Sequence, residues 1–180
     1  MKEDVKTLAY DDALPMRWVE LSAPPEGIRL DRLCESNVSI LSRVAAIEER
    51  HRMVGEEGEL EQEINRLHAK MDLLLGLVAS IASAHLKLPD TAELRLSADY
   101  LRWKSVGQEP TTGSRIMISL YLNPCIAEPL QMPAVVQDRD DGWVVACFEH
   151  PGASCYSALE QHVFLHHRRS VAETRYLVKK

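Results

Sequence analysis

The chain has 180 residues, 46% of them apolar and 27% charged, and carries a net charge of −6 at pH 7. Such a length holds one domain, or a small domain with an extension, and enough apolar residues to bury a core. The acidic balance excludes a general nucleic-acid binder, which needs a basic field. The longest uncharged run, residues 73–86, covers about 21 Å as a helix, short of a bilayer core of roughly 30 Å. The first residues, "MKEDVKTLAYDD", lack the apolar stretch of a secretory leader, and the four cysteines form no CxxC pair. A cytoplasmic protein with reduced thiols and no membrane span is expected.

Residues 1–27 read as an irregular segment with one short strand, Met16 to Leu21, before the Pro-Pro-Glu-Gly stop. From 28 to 88 the pattern is helical, in two heptad sets. The first has Leu30, Asn37, Val44 and His51 at a, and Leu33, Ile40, Ile47 and Val54 at d. The second has Ile64, Met71 and Val78 at a, and Leu60, Leu67, Leu74 and Ile81 at d. Six residues separate Val54 from Leu60 where seven would keep one seam, and Gly55 and Gly58 fall in that gap. Two long coiled-coil helices joined at "GEEG" are therefore expected. Leu75 and Leu77 widen the apolar face at e and g, which suits a tetramer better than a dimer, and Asn37 would fix the register.

From Pro89 onward the pattern turns to β. "RIMISLYL" alternates Ile116, Ile118, Leu120 and Leu122 against Met117, Ser119 and Tyr121. "MPAVVQDRDDGWVVACFE" reads as a hairpin turning at Asp141-Gly142. A last helix follows over "SCYSALEQHVFLHHRRS", with a stripe of Tyr156, Leu159 and Val163 and Ser154 as its cap. Residues 173–180 read as a tail.

Other constellations have plain readings. His162, His166 and His167 lack the glutamate of an HExxH site, and the favoured reading is a solvated helix face. "DRDDG" does not have calcium-loop spacing and reads as a turn. No nucleophile elbow, Walker loop or dinucleotide glycine loop is present, so no catalytic residue, cofactor or metal is assigned.

The pieces "LRLSADYLRW", "SRIMISLYL", "MPAVVQDRDDGWVVACFE" and "YSALEQHVFLHHRRS", in that order over residues 89–172, resemble a PilZ domain. The resemblance implies an α+β fold, a small six-stranded antiparallel β-barrel with a closing C-terminal helix. Only one strand is evident ahead of "SRIMISLYL", so "MRWVEL" is expected to supply the missing one, with 28–88 inserted in the barrel. The resemblance also implies bacterial signalling through cyclic di-GMP, read by two motifs, RxxxR and [D/N]xSxxG. Here Ser97 aligns with the serine, but Arg95 stands in place of the acid or amide and Tyr100 in place of glycine. No two arginines are four residues apart. The expectation is a degenerate PilZ-like regulatory or adaptor protein, oligomeric and not an enzyme. It would act on an unidentified protein partner, by analogy in motility or type IV pilus signalling, and is not expected to take cyclic di-GMP tightly. The alternative is a true receptor whose contacts are Arg95, Ser97 and Arg102.

Overall fold

A computed structural model describes residues 7–50, 63, 66–71, 73, 74, 78, 88–105 and 107–177. Its strands are β1 (Ala9–Glu20), β2 (Thr91–Ser97), β3 (Tyr100–Lys104), β4 (Arg115–Leu120), β5 (Leu130–Asp140) and β6 (Trp143–Phe148). Helix α1 (Ile28–Arg50) lies between β1 and β2 in sequence, and helix α2 (Ala153–Leu177) ends the chain. The strands close a barrel in the order β1-β2-β3-β6-β5-β4, every neighbouring pair antiparallel.

Alternation builds the interior. Leu94, Leu96, Leu101, Trp103, Ile116, Ile118, Met132, Ala134, Val144 and Ala146 point inward and are buried. The β5–β6 hairpin turns on Asp141 (φ 48°) and Gly142 (φ 75°), the pair of left-handed residues that a two-residue turn matching strand twist requires. In β5 a bulge inserts Gln137 between Val136 and Asp138.

β1 is longer than the Met16–Leu21 segment read from the sequence. Ala9–Pro15 pair with β2, and Met16–Glu20 pair with β4, so one strand closes the barrel by changing neighbours at Pro15. A strand carrying Asp11, Asp12 and Pro15 has low intrinsic propensity. It holds because Ala9, Tyr10 and Met16 are buried and because the proline stands at the point of change.

The C-terminal helix begins at Ala153, ahead of the expected cap. Gly152 carries the first main-chain acceptor, taking Tyr156 N–H at 3.1 Å, while Ser154 Oγ lies 3.1 Å from Cys34 Sγ on α1. Ser154 is therefore a contact with α1 and not the cap. The buried stripe is Cys155, Leu159, His162 and Val163; it covers the barrel together with Leu41 of α1.

Of the first long helix expected, Ile28–Arg50 is described, as α1. Described residues 63, 66–71, 73, 74 and 78 are helical, and the "GEEG" joint lies outside the described residues. Among the described residues no helix is long and apolar enough to cross a membrane.

Candidate functional site

The β2–β3 hairpin carries the three residues of the receptor reading, and the barrel separates them. Arg95 and Arg102 stand opposite each other on adjacent strands, with side chains on the outer face. Arg95 Nη1 reaches Asp11 of β1 at 3.3 Å, its cross-strand partner. The Arg102 guanidinium lies over the Trp143 ring, 4.6 Å from its centroid. Ser97 points the other way. It is fully buried, and its hydroxyl accepts the Asp99 N–H at 3.2 Å. That is a turn-forming role, closed to any ligand on the outer face. Tyr100 opens β3 and is not among the residues with positive φ, so the tyrosine sits there without backbone strain.

The residues assigned to helix association fall into two groups. Asn37, Ile40 and Val44 are buried within the chain itself, and Leu30, Leu33 and Ile47 are half-buried. Within the single chain these positions are covered by the chain's own elements. Ile40 and Val44 pack on Ile126. Asn37 faces the barrel and α2, where its Nδ2 lies 3.7 Å from Cys155 Sγ. Its Nδ2 donates to Gln131 O at 2.7 Å and its Oδ1 accepts Gln131 N–H at 3.0 Å. β6 pairs with β5 only from Ala134 onward, so β5 has an unpaired edge at Gln131, and the Asn37 amide closes it like a short strand.

The second group behaves differently. Leu67, Met71, Leu74 and Val78 are 59%, 46%, 61% and 62% exposed. Leu60, Ile64 and Ile81 lie outside the described residues, as do His51 and Val54 of the first set.

The two uses of asparagine predict opposite signs. In a seam, Asn37→Leu would stabilise by filling an apolar layer. Here it strips the partners from the half-buried N–H and C=O of Gln131, and we expect it to destabilise by about 2 kcal/mol, a fall in Tm of roughly 4–8 °C. Thermal unfolding by circular dichroism reads the sign directly.

Sequence reasoning missed a polar cluster between β1, α1 and α2. His162 is buried and exchanges a hydrogen bond of 2.9 Å with the Tyr10 hydroxyl. His166 stacks on Tyr10 with centroids 4.6 Å apart and meets Glu48 Oε1 at 3.0 Å. Arg169 donates to Glu48 Oε2 at 2.8 Å, and His167 Nδ1 donates to Ala9 O at 2.8 Å. The solvated-face reading of these histidines is thereby corrected: they fasten α2 to β1 and to the last turns of α1. Burial pushes the His162 imidazole down to about 3, helped by the neighbouring His166. Burial pushes the Glu48 carboxyl up, but the His166 hydrogen bond and the His166 and Arg169 charges outweigh it and hold it below the usual range. Burial, with Asp12 and Glu48 nearby, raises the Tyr10 phenol far above its ordinary value. Among the described residues no group of three His, Cys, Asp or Glu is placed to hold a metal.

A six-stranded barrel closed by a C-terminal helix, with a serine turn between β2 and β3, is the arrangement the resemblance implies. A family model described as "atypical PilZ domain, cyclic di-GMP receptor" matches residues 40–176. The chain belongs to the atypical PilZ family. The match spans the second half of α1 and the elements from β2 to α2, while β1 precedes it. Among solved structures, a pathogenic protein from Xanthomonas campestris superposes with a TM-score of 0.69 at 24% identity, over 93% of this chain and 92% of that one. It is described as a new tetrameric PilZ domain self-assembled via an unusual helical bundle. At that identity the likeness shows the PilZ fold. No curated protein matches the chain.

Proposed function

We propose that this PilZ chain is a non-enzymatic cytoplasmic regulatory or adaptor protein of bacteria that does not bind cyclic di-GMP tightly and acts through protein contacts. The observation that carries the reading is the state of the hairpin. Its serine is buried and occupied, and Arg95 is engaged by Asp11 where the motif needs an acceptor. The family description as a cyclic di-GMP receptor supports the alternative, a receptor that uses unusual residues. Within that alternative the candidates reduce to Arg95 and Arg102, because Ser97 offers nothing to the outside.

The adaptor is a tetramer in this reading. A row of four exposed apolar residues at four-three-four spacing, Leu67, Met71, Leu74 and Val78, is a surface that helix association would cover. The tetrameric helical bundle of the Xanthomonas campestris protein supports the same arrangement. Leu60, Ile64 and Ile81 extend the row in sequence. Four barrels on one stem would present four copies of one surface and gain avidity for a multivalent partner. The partner is a protein, by family analogy in motility or type IV pilus signalling.

Calorimetric titration with cyclic di-GMP tests the proposal. A chain that does not read the dinucleotide gives no saturating heat at roughly tens of micromolar, where a dissociation constant of low micromolar, about −8 kcal/mol, would be evident.

A further inference from the structure

Among the described residues, the change of neighbours along β1 leaves a strand edge open. Odd-numbered residues turn their main-chain groups toward β4: Leu21 N–H donates to Arg115 O at 2.9 Å, and Tyr121 N–H donates to Pro15 O at 3.0 Å. Even-numbered residues from Met16 onward turn theirs to the β2 side. Met16 N–H is met there by Asp90 O at 3.2 Å. Trp18 and Glu20 come next, and β2 does not reach them, because its ladder ends at Thr91 opposite Pro15. Pro89 gives a reason for the stop: it has no N–H with which to continue the ladder.

A cleft of about 760 Å³ opens along that edge. Trp18 and Trp103, two of the chain's three tryptophans, line it, both packed into the barrel core. Arg17 and Val19 flank the free positions on the outward side, and Val19 is 54% exposed. Glu20 and Asp90 stand at the two ends of the edge, and Lys104 lies on the facing strand, 3.9 Å from Glu93. Among the described residues Arg17 has no carboxylate within ion-pair distance.

We propose that this cleft is a strand-addition site: an extended segment of a partner protein, with an acidic residue and, two positions away on the same face, an aliphatic one, lays its backbone along the edge of β1 at Trp18 and Glu20. Two free positions on one edge repeat at about 7 Å, the repeat that an extended polypeptide presents and a compact ligand does not. Arg17 selects an acidic side chain beside it and Val19 an aliphatic one, since cross-strand neighbours on one face set sheet pairing. A residue between them turns inward to the tryptophan floor.

This inference deepens the adaptor reading and rests on it, but the two fail separately. Heat with cyclic di-GMP would overturn the adaptor without touching the cleft, whereas the peptide titration below reads the cleft alone. The full-length protein carrying Trp143→Phe, whose remaining tryptophans both line the cleft, is titrated with blocked Val-Glu-Val-Val-Val and Val-Lys-Val-Val-Val. The glutamate peptide should shift the emission saturably, with the lysine peptide at least tenfold weaker, taken as about 1.4 kcal/mol. Arg17→Glu should invert that order, and Val19→Lys should weaken the lysine peptide further. No saturable shift with either peptide, or equal affinities unchanged by Arg17→Glu, would overturn the site. An emission change on diluting the protein alone would also overturn it, assigning the edge to a second copy of the chain.

Discussion

Replacing Leu74 by aspartate should release monomers while leaving the barrel folded. Leu74 is 61% exposed in the single chain, so in the barrel's own stability its side chain counts for little. In an assembled bundle each copy would bury it, and a buried leucine contributes about 1.5–3 kcal/mol. An aspartate in that layer adds an unpaired charge in each of four chains. The association constant should fall by a factor on the order of 1,000 or more, equivalent to about 4 kcal/mol. Leu73 is the control: it is 65% exposed but lies off the row. Leu73→Asp should sediment as the parent does, which for the proposed tetramer is four chains of 20.3 kDa. If both variants dissociate, or neither does, the row is not the seam.

Acid should loosen the junction between α1, α2 and β1 well before general denaturation. The His162 imidazole sits near 3 in the folded protein, against about 6.5 in an unfolded chain. A group lowered on folding contributes its full stability above about pH 6.5 and loses it as the pH falls toward 3. By pH 4.5 the loss is about 3 kcal/mol. Glu48, held low by His166 and Arg169, loses its share only below the ordinary carboxylate range, so the two effects run in the same direction. His162→Gln keeps a neutral partner for the Tyr10 hydroxyl and cannot charge. Its unfolding free energy, from urea titrations between pH 7 and 4.5, should vary by about 3 kcal/mol less than that of the parent. Equal slopes in parent and variant would remove His162 as the cause.

What the sequence disclosed and what it concealed have a common origin in range. The alternation at Ile116–Leu120 and the Asp141-Gly142 turn are local signals, and both stand where the pattern put them. Asn37 was legible only as a heptad position, because its partner Gln131 is 94 residues away. A seam asparagine and an edge-closing asparagine look alike in one dimension. The histidines of α2 looked solvated because polar residues on a helix usually are, yet Tyr10 lies 152 residues upstream and Glu48 118. β1 was half read: "MRWVEL" carries β-formers, whereas Asp11, Asp12 and Pro15 mask the first half. At the hairpin, the loss of the motif acid and glycine was visible in "RLSADY", but the inward turn of Ser97 was not. A side chain's face depends on strand register, and the register was fixed only by β1 pairing with β2.

The PilZ barrel holds the hairpin of a cyclic di-GMP reader, with the serine turned into the core and the acceptor position taken by an ion-paired arginine. Calorimetry with cyclic di-GMP at moderate salt addresses that directly. Flat heats up to roughly tens of micromolar are the predicted result, in the parent and in Asp11→Ala, which frees Arg95. A saturating isotherm in the parent with a dissociation constant of low micromolar or tighter, about −8 kcal/mol or better, would contradict it and make this chain a receptor.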